Sequence, residues 1–330
     1  MEALMWQGGE LVQTVSVAAP EPPPGWALVE VAYAGICGSD LHICAGEHPR
    51  AKPGLVIGHE IVGRVAQDPG HLAAGAPVFV NPLLTCGSCR SCRHGQPNTC
   101  EHLGFVGIDA NGGAAELVAA PSGQLLPLPA SIGLRQAGLI EPLAVAVHAV
   151  GKGDVRFGHR VHVLGAGPIG LLVATCARIF GAAVTISEPS SGRAGTAAEL
   201  GFELVASPAR DSRIDKDRRV DVVFDCTGHP AAAPEVLRWA TTGGTAVVVG
   251  AYPGVVGVDL QDLMFREVTM IGVRAYTPDD VRTAVSLIDQ GLVDPSRIIS
   301  DVLPLSEGPS AIGLLRAGQA IKVLLAGPAA

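Results

Sequence analysis

Cys86, Cys89, Cys92 and Cys100 have the spacing Cys-x2-Cys-x2-Cys-x7-Cys, which gathers half of the chain's eight cysteines into one short stretch. A structural zinc takes four thiolates in a tetrahedron and leaves no position open. Two-residue gaps let a loop wrap three sulfurs around one ion, and the longer gap returns the fourth. A disulfide framework would be spread along the chain, so the clustering favours metal. A redox Cys-x-x-Cys would open a helix of a thioredoxin-like unit, and that context is lacking.

A second set is more dispersed. Gly35-Ile36-Cys37-Gly38-Ser39-Asp40-Leu41-His42 and Gly58-His59-Glu60 supply a thiol, imidazoles and carboxylates. A catalytic zinc needs three protein ligands and one open position, which Cys37 and His59 would begin to fill. Their spacing alone fits ordinary core residues as well. The third set, Gly165-Ala166-Gly167-Pro168-Ile169-Gly170, is a G-x-G-x-x-G pattern. Such glycines make a tight turn and bring backbone N–H groups up to a pyrophosphate at a helix N-terminus. Glu188, about twenty residues on, would accept hydrogen bonds from a ribose 2′-OH and repel a 2′-phosphate, favouring NAD over NADP.

The elements that must hold these residues change character along the chain. Up to about residue 150 strands are expected over 27–33, 60–65 and 76–80, broken by Gly/Pro turns. Beyond it, strands over 160–164, 183–187, 221–225 and 245–249 alternate with helices over 169–180, 193–200 and 233–240. That alternation implies a parallel, doubly wound sheet. An amphipathic helix is expected over 279–291 and a last strand over 321–325. The apolar run from Val161 to Ile186 is long enough to suggest a membrane span, but Arg178, Gly165, Gly167, Pro168, Gly170 and Gly181 break it. A strand, a glycine turn and a buried helix account for it better.

With 330 residues, 48% hydrophobic and 16% charged, the chain can bury two domain-sized cores, and intrinsic disorder is excluded. The net charge is −8, from 23 Lys+Arg against 31 Asp+Glu, with no basic stretch to serve a nucleic-acid partner. Met1-Glu2-Ala3-Leu4-Met5 lacks the basic and apolar regions of a signal peptide, so a soluble, cytoplasmic protein without a membrane partner is expected.

Together with Asp109-x-x-Gly112-Gly113-x-x-Glu116 and Glu141-Pro142-Leu143-Ala144, these motifs in this order resemble the zinc-dependent medium-chain dehydrogenases. The resemblance is to their sorbitol, threonine and butanediol dehydrogenase branch and runs from about residue 3 to residue 325. It implies an α/β chain with a GroES-like β-barrel catalytic domain (1–148 and 288–330, zinc lobe 84–102) and a Rossmann NAD-binding domain (149–287) with a doubly wound parallel sheet. It implies two zinc ions, a structural one on Cys86, Cys89, Cys92 and Cys100 and a catalytic one on Cys37 and His59. Glu141 is favoured as the third catalytic ligand, with Glu60 a neighbouring carboxylate that ligates in some members. Ser39 and His42 would carry the alcohol proton out.

Ile169, Arg193, Val249-Gly250-Ala251 and Val273-Arg274 match cofactor-contacting segments of the family, beside Gly165, Gly167, Pro168, Gly170 and Glu188. The implied reaction is hydride transfer between NAD and a small polar secondary alcohol, diol or polyol, or the matching ketone, in a homodimer or homotetramer. Ile43 stands where sorbitol dehydrogenases resembling this chain carry tyrosine, and Ala275-Tyr276 where they carry Arg-Tyr. An oxidation like that of L-threonine 3-dehydrogenase is the alternative. A catalytically silent regulator retaining the fold is the non-enzymatic one.

Overall fold

The computed structural model describes residues 1–68, 70–206 and 214–330. The chain divides into two compact units, Met1–Glu141 with Ala284–Ala330, and Pro142–Thr283. These divisions fall inside helices Ile140–Lys152 and Pro278–Asp289 rather than at 149 and 288. Both crossings run through continuous helices, so a switch from strand to helix periodicity does not mark them.

In the first unit the central strand, Trp26–Gly35, belongs to a seven-stranded sheet. Ala27, Val29 and Val31 are buried while Leu28 and Glu30 between them are half-buried, the alternation a one-sided strand requires. It pairs antiparallel with Glu60–Gln67, Leu117–Pro121 and Lys322–Ala326. Residues 322–326 thus complete a sheet begun at residue 26.

The second unit is built on a six-stranded parallel sheet. Its order is Glu203–Leu204, Ala183–Ser187, Arg160–Leu164, Val220–Asp225, Ala240–Val248, Thr269–Gly272. The order reverses between Arg160–Leu164 and Val220–Asp225, where ligands of such sheets bind beyond the strands' carboxyl ends. Helices Pro168–Ile179, Ser191–Glu199 and Ala233–Trp239 provide the crossovers. The apolar run from Val161 to Ile186 is therefore strand, buried helix and strand, and no helix of the described residues is long and apolar enough to cross a membrane. Ala240, expected to close a helix, opens a strand instead, because pairing with Val220 draws it into the sheet.

Polar side chains lie inside this core as well, His162, Ser187 and Asp225 among them. His162, wholly buried in strand Arg160–Leu164, stacks on Trp239 with centroids 3.8 Å apart. Its Nδ1 is 2.7 Å from Thr185 Oγ1 and its Nε2 3.0 Å from Ser187 Oγ. Burial, with help from the Arg218 charge, pushes its pKa down to about 3. The ring is therefore neutral in the folded protein, whereas in the unfolded chain it takes up a proton below about pH 6.5. Stability must fall as pH drops through that window, because only the unfolded state gains the proton. Replacing His162 by Gln should reduce the stability lost between about pH 6.5 and about pH 5 by ~2 kcal/mol in thermal unfolding. Equal pH slopes in the two proteins would show that His162 is not the source.

Candidate active site

Cys37 follows the central strand of the first unit and caps helix Gly38–Cys44. Buried Asp40, in that helix's first turn, accepts the Cys37 N–H at 2.8 Å and the Gly58 N–H at 3.3 Å. One carboxylate thereby ties the helix start to the loop that carries His59 and Glu60. Burial raises the Asp40 pKa against the pull of His59 and of these N–H donors.

The ligand atoms of Cys37, His59 and Glu60 lie within 4.8 Å of one another. Nδ1 of His59 is buried and has no hydrogen-bond partner among the described residues, the nearest acid being Asp40 Oδ1 at 3.9 Å. Burial works against charge on this ring, yet Cys37, Asp40 and Glu141 outweigh it and raise its pKa well above the ordinary range. An unsatisfied nitrogen in a pocket that stabilises positive charge fits a bound cation. Thiolate, imidazole and carboxylate are a donor set that suits zinc.

Glu60 is also held by a residue that sequence reasoning missed. Lys322 is fully buried, with Nζ 2.6 Å from both Glu60 oxygens and 3.0 Å from Ile36 O. Burial opposes its charge, but Glu60, Cys37 and Glu141 prevail and its pKa is raised. The available signal was a single lysine among Ile321, Val323, Leu324 and Leu325, because a lysine in an apolar strand needs a partner.

Glu141 is buried in the first turn of helix Ile140–Lys152 and acts on His59, but it stands outside the 4.8 Å group. Ser39 is half-buried, and His42 is exposed with Nδ1 3.0 Å from Glu47 Oε2. Ile43 and Tyr276 are both fully buried core residues.

Cys86, Cys89, Cys92 and Cys100 form a second group within 4.8 Å, with Cys86 Sγ 3.5 Å from Cys100 Sγ. The Cys89 N–H donates to Cys86 Sγ at 3.4 Å and the His102 N–H to Cys100 Sγ at 3.4 Å. The backbone N–H groups of Ser88 and Cys89 hold the Cys86 pKa down to about 6, while burial and the neighbouring sulfurs push Cys92 up to about 12. Sulfurs crowded together with N–H donors aimed at them fit a closed four-thiolate zinc.

In the second unit Gly165 has φ +96°, and a Cβ on Gly170 would lie 1.9 Å from Gly165 O. Gly167, the N-cap of helix Pro168–Ile179, meets nothing within 4 Å. Pro168 occupies the first turn, where a missing N–H costs little, and Ile169 follows it. The loop is tight behind and open in front, as a pyrophosphate cradle must be. Glu188, just after strand Ala183–Ser187, accepts the Ala166 N–H at 2.7 Å and the Ser190 N–H at 2.8 Å, so it braces the glycine loop. Arg193 lies on helix Ser191–Glu199 with its Nε buried and unbonded among the described residues.

Val249 and Gly250 donate their N–H groups to Asp225 O, both at 2.9 Å, and Ala251 follows. Val273 donates to Val248 O at 3.0 Å, and Arg274 beside it is exposed. Sequence reasoning also passed over Asp225, a buried acid closing an apolar strand. It accepts the Thr227 N–H and Oγ1 and the Tyr252 hydroxyl at 2.9, 2.6 and 2.6 Å. All these positions lie at the carboxyl edge of one sheet.

A doubly wound sheet with a glycine cradle, an open Cys/His/carboxylate set and a closed four-cysteine loop define a class, the zinc- and dinucleotide-dependent oxidoreductases. Residues 23–130 match the alcohol dehydrogenase GroES-like domain and residues 168–290 the zinc-binding dehydrogenase domain. The chain is 35% identical over 320 residues to 2-dehydro-3-deoxy-L-galactonate 5-dehydrogenase of Pseudoalteromonas atlantica, covering 94% of each. It is 33% identical to L-threonine 3-dehydrogenase of Pyrococcus abyssi, covering 96% of this chain and 94% of that one. A zinc-binding dehydrogenase of Sinorhizobium meliloti 1021, solved with NADP, superposes with a TM-score of 0.90 at 31% identity over 98% of both chains. The chain belongs to the zinc-dependent medium-chain dehydrogenases, which act on alcohol CH–OH groups.

The two glycines behind and in front of the cradle should respond differently to a methyl group. Gly170→Ala must displace backbone and should cost about 1–3 kcal/mol in thermal unfolding. Gly167→Ala should change stability by less than about 0.5 kcal/mol yet weaken dinucleotide binding, measured by NADH fluorescence titration. Unchanged NADH affinity in Gly167→Ala would remove the cradle from the cofactor site.

Proposed function

We propose that this protein oxidises a secondary hydroxyl of a small polar alcohol, diol or polyol, or reduces the matching ketone, with NAD as the preferred cofactor. The observation that carries the proposal is the open donor set Cys37, His59 and Glu60, with His59 Nδ1 buried and unsatisfied. Cys37 and His59 would hold the catalytic zinc with Glu60 as the third donor, supported by the 4.8 Å grouping. Glu141, favoured by the resemblance, then serves as a second carboxylate that acts on His59 and orients the alcohol. Cys86, Cys89, Cys92 and Cys100 would hold the structural ion.

When bound on Cys37, His59 and Glu60, zinc would supply Lewis acidity toward the alcohol oxygen, and a nicotinamide held at the glycine loop would supply the hydride acceptor. The residues of the chain bind, orient and move the proton. Ser39 and His42 share the short helix after Cys37, and the exposed His42, paired with Glu47, can pass a proton to solvent. Asp40 fixes the loop of His59, and Lys322 fixes Glu60. Gly165, Gly167, Pro168, Ile169 and Gly170 would take the pyrophosphate, Glu188 and Arg193 the adenosine ribose, and Val249, Gly250, Ala251, Val273 and Arg274 the rest of the cofactor. The Pyrococcus relative keeps an amino-alcohol substrate as the second reading.

The thiols of both donor sets must stay reduced to ligate metal, which supports a cytoplasmic setting. A homodimer or homotetramer is supported by the edge strand Thr269–Gly272 with exposed Met270, flanked by exposed Leu260, Met264 and Phe265.

Assayed with a panel of polyols, diols and L-threonine, the protein should reduce NAD about ten- to several hundredfold more efficiently than NADP. Equal efficiency would overturn the Glu188 assignment, and no reduction with any alcohol would overturn the function.

Metal analysis should give two zinc ions per chain, with Glu60→Ala losing one and Glu141→Ala keeping both while turning over slowly. Zinc loss in Glu141→Ala alone would return the third position to Glu141. Sedimentation of the same preparations as a single chain would remove the oligomer.

A further inference from the structure

Asp225 ends strand Val220–Asp225 and is wholly buried, yet among the described residues no lysine, arginine or histidine forms an ion pair with it. Its side-chain donors are neutral. Oδ1 accepts the Thr227 N–H at 2.9 Å and the Thr227 hydroxyl at 2.6 Å, and Oδ2 accepts the Tyr252 hydroxyl at 2.6 Å. Thr227 Oγ1 itself accepts the His229 N–H at 3.0 Å, which leaves its own hydrogen for Asp225. A carboxyl group that only accepts is an ionised one. So placed, it keeps a desolvation cost that no cation of the unit offsets. Its field is felt nearby: after burial, the Asp225 charge is what raises the Cys226 thiol well above its ordinary range. Burial and the hydrogen bond to Asp225 likewise raise the Tyr252 phenol.

Backbone contacts fix where this charge sits. A Cβ on Gly250 would lie 2.0 Å from Gly228 N, and one on Gly228 would lie 2.4 Å from Ala251 O. The loops after strands Val220–Asp225 and Ala240–Val248 therefore touch main chain to main chain. On the other side, a Cβ on Gly165 would lie 2.8 Å from Thr227 Cγ2. The Asp225 loop thus adjoins the glycine loop at the point where the strand order reverses. A sheet of this kind takes a dinucleotide with one mononucleotide on each side of that point. Glu188, after strand Ala183–Ser187, marks the adenosine side, which leaves the side of Asp225, Val249 and Val273 to the nicotinamide. The two states of that ring differ in charge, because the oxidised nicotinamide is a cation and the reduced one is neutral.

We infer that Asp225 is the buried counter-charge of the oxidised nicotinamide, so that the protein holds NAD more tightly, relative to NADH, than its remaining contacts would. Asp225 acts through its charge and touches no substrate. Tyr252 and Thr227 keep it ionised and in place, and the phenol hydrogen damps part of its field. Because the oxidised ring is favoured, the balance between bound forms is drawn toward NAD and alcohol, which is the direction of ketone reduction. The inference rests on the cofactor part of the proposed function and not on the identity of the alcohol.

Three ligands test it by calorimetry on the zinc-loaded protein without any alcohol, so that binding is read without turnover. They are NAD, NADH and ADP-ribose, which lacks the nicotinamide. In Asp225→Asn the amide oxygen can still accept from Thr227 while the amide N–H donates to the Tyr252 oxygen, so the loops keep their ties. NAD should then bind about tenfold more weakly, with NADH and ADP-ribose within about twofold of the unaltered protein. Tyr252→Phe removes one donor and keeps the carboxylate, so the preference for NAD over NADH should rise about two- to threefold. This second variant carries the test should Asp225→Asn fail to fold.

An unchanged ratio of NAD to NADH affinity in Asp225→Asn, or a fall of that ratio in Tyr252→Phe, would overturn the inference. Equal weakening of all three ligands would overturn it too, leaving Asp225 a brace for its loops. A protein that binds none of the three would instead overturn the cofactor reading on which the inference rests.

Discussion

The buried ion pair between Lys322 and Glu60 joins positions 262 residues apart and sits at the root of the candidate metal corner. An ammonium taken out of water is tolerated only when a carboxylate and further acceptors meet it, and here both Glu60 oxygens and Ile36 O do so. Because Ile36 precedes Cys37, one side chain fixes the end of the central strand and the loop of His59 together. Asp40 makes the complementary tie from the helix after Cys37. Losing one member of such a pair typically costs about 3–5 kcal/mol, since the other charge is left stranded.

The same logic recurs in the parallel sheet. Glu188 braces the glycine loop through Ala166 and Ser190, and Asp225 gathers Thr227 and Tyr252 at the strand ends beside it. Carboxylates at the carboxyl edge therefore accept N–H and O–H groups from loops that regular pairing leaves behind. The loops become parts of a rigid rim instead of free connections. Positioning in both units is done by buried or half-buried acids that accept from backbone and side-chain donors alike.

Much of this is legible in the sequence where the chemistry is local. Cys86 to Cys100 and Gly165 to Gly170 announce their loops by spacing, because the loop and its ligands are the same residues. The alternating strands and helices after residue 150 are legible for a similar reason, since each period is set by near neighbours. Ala240 escapes, because its pairing with Val220 is a sheet contact and not a helix signal. The grouping of Glu60 with Cys37 and His59, from which Glu141 stands apart, also escapes, because it depends on where the sheet carries each carboxylate. Lys322 is the clearest case: its residue type in an apolar strand signals a partner, but only the fold says which one. His162 reads as one more strand residue until Thr185, Ser187 and Trp239 surround it.

The strand Lys322–Ala326 also orders events during synthesis. The four-cysteine loop contains all its own sulfurs and can close as soon as it leaves the ribosome. The Cys37, His59 and Glu60 corner lacks its buried counter-charge until residue 322 has been made, because domains emerge and fold from the N-terminal side. Until then Glu60 has no ammonium behind it and the central strand lacks a neighbour. The candidate metal corner of the nascent chain is thus unfinished while the whole of the parallel sheet is being translated, and it is completed only when the first unit closes around its last strand.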